Sequence, residues 1–190
     1  CLLSRGLGDV YKRQDVNSRA TILSGVGFDA MVWELFPYIT SGATVYPISN
    51  DDRADVDSLL AIVNLNEITH AYLPTVLYND FAQKSDDLYG VVNICVGGEA
   101  LGTVSSVDKI KLHNNYGPTE NTVVSTKLSL SKADFNKRNI PIGKPIANSK
   151  IYVLNEKRKL QAQGVVGEIC ISGKGLSLGY LNQPELTDEK

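Results

Sequence analysis

Ile110-Lys111-Leu112-His113-Asn114-Asn115-Tyr116-Gly117-Pro118-Thr119-Glu120 (residues 110–120) starts as a strand and ends in a Gly-Pro turn that carries polar side chains. Working outward, strands are expected at Arg19 to Ser24, Ala43 to Ile48, Thr69 to Leu73 and Val91 to Val96, as well as Ile110 to His113. Between them lie helical patterns. One opens at Asp29 after the Gly25-Val26-Gly27 turn, runs through Thr40 and is closed by Gly42; a second covers Val56 to Leu65; a third follows Pro74. A short helix is expected between Val96 and Ile110. Repeated β-α-β spacing predicts an α/β fold with a mainly parallel, helix-covered sheet. After Pro141 the pattern changes. Lys150 to Leu154 and Val165 to Ser172 are strand-like across a charged turn at Asn155 to Lys159, which predicts a smaller antiparallel β unit. The expected division is 1–14, 15–140 and 141–190, and there is no internal repeat.

Composition narrows the class. The 190 residues are 43% hydrophobic and 21% charged, with a net charge of −2, which suits a globular core and excludes disordered and collagen-like chains. The charge balance gives no support for a nucleic-acid or membrane-surface partner, and no apolar run reaches the roughly 18 residues of a membrane span. Cys1, Cys95 and Cys170 are far apart, with no CxxC pair and only two histidines. That argues against a disulfide framework or zinc site and for a reducing, cytoplasmic location. Residues 1–14 (CLLSRGLGDVYKRQ) have no clean period and are expected to be a non-native, adapter-like leader. The polar stretch at the other end reads as an internal point of something longer. Asp51, Asp52, Asp55 and Asp57 are expected to be a solvated helix start, because carboxylates in a first turn complement the helix dipole.

In an α/β sheet, ligands bind beyond the carboxyl ends of the strands, which is where the 114–120 loop falls. Tyr116 offers an aromatic face for a purine, Thr119 a hydroxyl for a phosphate oxygen, and Glu120 a hard oxygen ligand for magnesium. A plain Gly-Pro turn with a following cap explains the same residues, so the chemistry alone leaves both readings open. Asp29, taken alone, is a helix N-cap. Gly173-Lys174-Gly175-Leu176-Ser177 lacks Walker A spacing, so its glycines are assigned to turns and close packing. His70, His113 and Cys170 are expected in the core.

The Asn114 to Glu120 stretch resembles the Asn-x-Tyr-Gly-Pro-Thr-Glu motif of nonribosomal peptide synthetase adenylation domains, within the acyl-adenylate-forming superfamily. Two further segments agree in order: GFDAMVWELFPYITSGA upstream, and GEICISGKGLSLGYLNQPELT downstream. The resemblance covers nearly everything from Arg19 onward. It implies part of a larger adenylate-forming N-terminal core, with ATP and Mg2+ and a phosphopantetheine arm on a partner carrier domain. By this resemblance Tyr116 stacks on adenine, Thr119 contacts the α-phosphate region and Glu120 binds magnesium, Thr119 and Glu120 being the catalytic pair. Gly97, Gly98, Glu99, Ala100, Asn115 and Gly117 complete the nucleotide side. Asp29 matches the aspartate that pairs with the substrate's α-ammonium group.

The remaining pocket positions implied are Ala30, Trp33, Tyr72, Cys95, Gly97, Asn115, Val123 and Val124. This lining is mostly apolar and carries no charge opposite a substrate side chain, so a hydrophobic amino acid such as leucine is expected. Tyr72 and Cys95 depart from leucine-type pockets. The family's upstream phosphate loop, ribose-binding aspartate, hinge and C-terminal subdomain with its catalytic lysine are not found, so the piece by itself is expected to be inactive. Ser177-Leu178-Gly179-Tyr180-Leu181 stands where the family has Ala-Arg-Gly-Tyr-Leu, and the stretch from Glu99 to Asn114 is short. Expected partners are the amino-acid substrate and the peptidyl carrier and condensation domains. An acyl- or aryl-CoA ligase of the same superfamily and a non-catalytic relic are the alternatives. Asp29 separates the first of these, since a substrate without an amino group gives it no ammonium partner.

Overall fold

The computed structural model describes residues 14–90, 92–104, 108–135 and 137–189, so the expected leader lies outside the described residues except for Gln14. Five parallel strands form most of one sheet: β1 Arg19–Ile22, β2 Thr44–Pro47, β3 His70–Pro74, β4 Val92–Gly97 and β5 Ile110–Tyr116. Two antiparallel strands, β6 Thr126–Ser129 and β7 Lys144–Pro145, extend it to seven in the order β2-β1-β3-β4-β5-β6-β7. The sheet therefore continues past Pro141. A separate antiparallel pair, β8 Ser149–Leu154 and β9 Glu168–Gly173, follows.

Strand alternation assigns the two faces of the sheet. Val92, Ile94 and Val96 of β4, with Ala71 and Leu73 of β3, belong to the large core. Helix α2 (Val56–Leu65) supplies Leu59, Leu60 and Val63 to that core, and α3 (Thr75–Gln83) supplies Tyr78 and Phe81. Cys95 and Tyr72 point the other way, where Trp33 of α1 (Ala30–Thr40) packs with them and with Val124. The parallel strands are thus covered on both sides, as parallel sheets must be to bury their connections. Asp55 caps α2 by accepting from the Ser58 hydroxyl at 2.7 Å and the Ser58 amide at 3.0 Å, and these bonds lower its carboxyl below the usual range.

Residues 101–104 are irregular chain with Leu101 and Val104 buried, so the short helix expected before Ile110 does not form there; residues 105–107 lie outside the described set. Cys170, expected in the core, is half-buried, because a two-stranded ribbon has no second layer of its own. Tyr152 and Val153 are each 38% exposed, and Leu178 and Leu181 stand in solvent. The helix α4 (Pro184–Glu189) ends the described chain. Among the described residues no helix is long and apolar enough to cross a membrane.

Candidate adenylate-forming site

The carboxyl ends of β1, β3, β4 and β5 lie side by side, and each gives way to a loop of candidate residues. After β1 the chain would leave two amide donors without strand partners. Glu34, 1% exposed on α1, accepts from the Leu23 and Ser24 amides at 2.8 Å each. This buried carboxylate ties the loop to the helix that follows it, and so fixes where Asp29 emerges. Asp29 occupies the N-cap position of α1, but its side chain makes no capping bond. The helix does not consume that carboxylate, and Asp29 lines a cavity of about 470 Å³.

Ala30, Tyr72, Gly97, Gly98 and Glu99 line the same cavity, with Leu23, Phe28 and Leu77 among the apolar contributors. Tyr72 donates through its hydroxyl to the Gly97 carbonyl at 3.3 Å. Burial first, then the charges of Glu34, Asp29 and Cys95, push its phenol up to about 12, so it stays a neutral donor. Tyr72 meets Trp33 edge-on at 5.7 Å and packs with Val123 against the buried Trp33, Cys95 and Val124, none of which lines the cavity itself. Tyr72 belongs to both the cavity and this apolar cluster. Arg53 also lines the cavity, on the turn after β2, with a buried Nε that has no hydrogen-bond partner. The pocket thus has one cation that the sequence reading missed.

Glycines are obligatory at two points here. A Cβ on Gly97 would lie 2.8 Å from the Asn115 carbonyl oxygen, and one on Gly117 only 2.3 Å from the Val123 carbonyl oxygen. Asn115 is buried and donates to the His113 carbonyl at 3.1 Å. Tyr116 ends β5 half-buried, Gly117 and Pro118 turn the chain, and Thr119–Asn121 make one 3-10 turn. Thr119 is exposed, as are Gly98, Glu99 and Ala100 on the neighbouring loop. Tyr116, Thr119 and Glu120 do not line the Asp29 cavity; they stand at the next strand end, beside the β4 loop that does. Glu120 accepts from the Tyr180 hydroxyl, and this bond raises the Tyr180 phenol above its ordinary value. His70 and His113 are buried at 5% and 7% exposure, as expected.

Glu34, Arg53 and Tyr180 were not predicted. Glu34 had a visible signal, since it shares the apolar helix face of Trp33, Pro37 and Tyr38, where a lone acid needs partners. Arg53 and Tyr180 reach their neighbours only through the fold.

The nucleotide side fits what the residues offer. Gly97 and Gly117 let neighbouring backbone pack closely behind the strand ends, Tyr116 supplies an aromatic ring, and Glu120 is a single hard carboxylate. Mg2+ is commonly held by one or two carboxylates plus substrate phosphates, so Glu120 alone is a sufficient donor set from the protein.

Comparison with known proteins identifies the family. The family described as AMP-binding enzyme matches residues 4–181. Bacitracin synthase 1 of Bacillus licheniformis is 44% identical over 92% of this chain and 3% of its own length. Gramicidin S synthase 2 of Brevibacillus brevis is 38% identical over 95% of this chain and 4% of its own. The chain thus spans a small part of the curated relatives it matches. Among solved structures, a holo four-domain nonribosomal peptide synthetase bound to AMP and glycine superposes with a TM-score of 0.82. It is 27% identical, over 95% of this chain and 14% of that one. A nonribosomal peptide synthetase protein containing adenylation and PCP domains gives 0.81, at 27% identity over 94% of this chain and 37% of its own. With a doubly covered parallel sheet, these relatives and the matched span, the chain belongs to the AMP-binding enzyme family.

Proposed function

We propose that the chain is the amino-acid and adenine-binding part of a domain that activates an amino acid for nonribosomal peptide synthesis. The reaction joins a substrate carboxylate oxygen to the α-phosphorus of ATP, breaks the bond to the β-phosphate bridging oxygen and releases pyrophosphate. In a second step the thiol of a phosphopantetheine arm on a carrier domain takes the acyl group, and AMP leaves. Carrier and condensation domains are the partners this implies. A cytoplasmic location suits the free thiols Cys95 and Cys170.

The observation that supports this reading most is Asp29, a helix-start carboxylate that leaves its helix uncapped and lines a cavity instead. An ammonium group there gains a partner that its desolvation otherwise lacks. Tyr72 and the cluster of Trp33, Cys95, Val123 and Val124 shape an apolar seat for the side chain, with leucine as the preferred occupant. Gly97 to Ala100 and Asn115 to Gly117 carry adenine, with Tyr116 stacking and Thr119 turned towards phosphate. Glu120 would hold Mg2+, which when bound neutralises charge developing on the phosphates.

Arg53 supports a second reading, in which the substrate side chain carries an acid that this guanidinium meets. An amino-acid panel in ATP–pyrophosphate exchange, run on an adenylation domain completed around this sequence, tests both. Exchange highest with leucine is the expected result, and highest with aspartate or glutamate favours Arg53. Asp29→Asn should lower exchange with every amino acid at least tenfold. No exchange with any amino acid refutes the proposal.

A further inference from the structure

The segment after β9 is tied to the turn after β5 at three points. The Ser177 amide donates to the Glu120 carbonyl oxygen at 2.7 Å. The Thr122 hydroxyl donates to the Gly175 carbonyl at 2.5 Å, and the Tyr180 hydroxyl donates to Glu120 Oε1. Gly175 also sits against the buried Asn121, where a Cβ would approach Oδ1 to 3.0 Å. The turn held this way contains two successive β-branched residues in the left-handed region, Thr122 at φ 53° and Val123 at φ 69°. Such backbone is strained and persists only where surrounding contacts determine it.

Two of the three ties hold backbone or the Thr122 hydroxyl. The third holds the Glu120 carboxylate itself, and shaping a turn does not require it. The phenol occupies one acceptor position of that carboxylate and restricts how it can turn. Carboxylates that bind metal ions are commonly oriented by such outer partners.

We propose that Tyr180 is a positioning residue for Glu120, setting its carboxylate to receive the divalent cation that accompanies the ATP phosphates. The proposal rests on the nucleotide reading above. It gives the Tyr180 hydroxyl a role separate from the family resemblance of the surrounding segment, which lacks the arginine at Leu178.

The test uses an adenylation domain completed around this sequence, with Mn2+ as the cation and ATP as the nucleotide. Paramagnetic broadening of the 116–122 amides reports cation arrival, and ATP affinity is measured separately in EDTA. The Tyr180→Phe variant removes one oxygen and keeps the ring. It should weaken apparent Mn2+ affinity about tenfold, while ATP affinity in EDTA stays the same. Glu120→Gln should abolish the broadening, also with unchanged ATP affinity in EDTA. If Tyr180→Phe binds Mn2+ like the wild type, or loses ATP affinity equally with and without metal, the positioning role is overturned. The second of these outcomes marks a purely structural tie. Absence of broadening in the wild-type completed domain overturns the nucleotide reading itself, and this inference with it.

Discussion

Replacing Glu34 by glutamine is the sharpest probe of how the Asp29 loop is held. The carboxylate is 1% exposed and accepts two amides at 2.8 Å each. Hydrogen bonds to a charged group contribute about 1.5–3 kcal/mol apiece. Glutamine keeps one acceptor oxygen but turns an NH2 group towards the second amide, so one such bond is lost and a buried donor goes unsatisfied. The expected cost is about 2–3 kcal/mol, a large share of the roughly 5–15 kcal/mol that separates folded from unfolded domains. Glu34→Ala strands both amides and should cost more. The chain's single tryptophan, Trp33, is the adjacent residue and 1% exposed, so its fluorescence in a urea titration reports the change directly. A Glu34→Gln midpoint within about 0.5 kcal/mol of wild type, the range of an ordinary surface substitution, would refute the claim that this carboxylate secures the loop.

Two further outcomes are expected. Gly117→Ala places a methyl 2.3 Å from the Val123 carbonyl oxygen and must displace backbone, so it should lower both thermal stability and nucleotide affinity; an unchanged Tm would show that the turn relaxes freely. Burial lifts the phenols of Tyr72 and Tyr78 to about 12 from an ordinary value of 10.0. The unfolded chain therefore releases these protons first, and stability present below about pH 10 should be lost as pH rises towards 12. Urea titrations across that window should show a shallower decline for Tyr78→Phe, and an equal decline in both proteins would contradict the assignment.

The parallel half of the fold was legible because each strand is a short apolar run followed by a helical period and a turn residue. β6 was not, since Thr126 to Ser129 has no apolar run and its pairing is decided by Gly117 and the turn bringing it beside β5. Thr126 is buried by having its hydroxyl donate to the Ile142 carbonyl at 2.7 Å, a bond between residues distant in sequence. Of the helix expected before Ile110, residues 101–104 are irregular chain, with Leu101 and Val104 buried without a helical turn. Asp29, Tyr72, Gly97, Tyr116 and Glu120 are proposed for the site through the family resemblance. Arg53 and Tyr180 could not be named in that way, because sheet order and the path after β9 bring them in. Asp29 shows the limit most clearly, since its position looks the same in sequence whether or not its carboxylate caps the helix.

The uncovered ribbon of β8 and β9 has a practical corollary. Val153 and Ile169, paired on one face of the ribbon, and the solvent-facing Leu178 and Leu181 are exposed apolar side chains of the kind that drives clumping in concentrated solution. Produced by itself, the polypeptide should enter inclusion bodies or run as large species on size exclusion. Changing Leu178 and Leu181 to serine, which touches no residue assigned to the cavity or the nucleotide turn, is the simplest route to a preparation suited to spectroscopy.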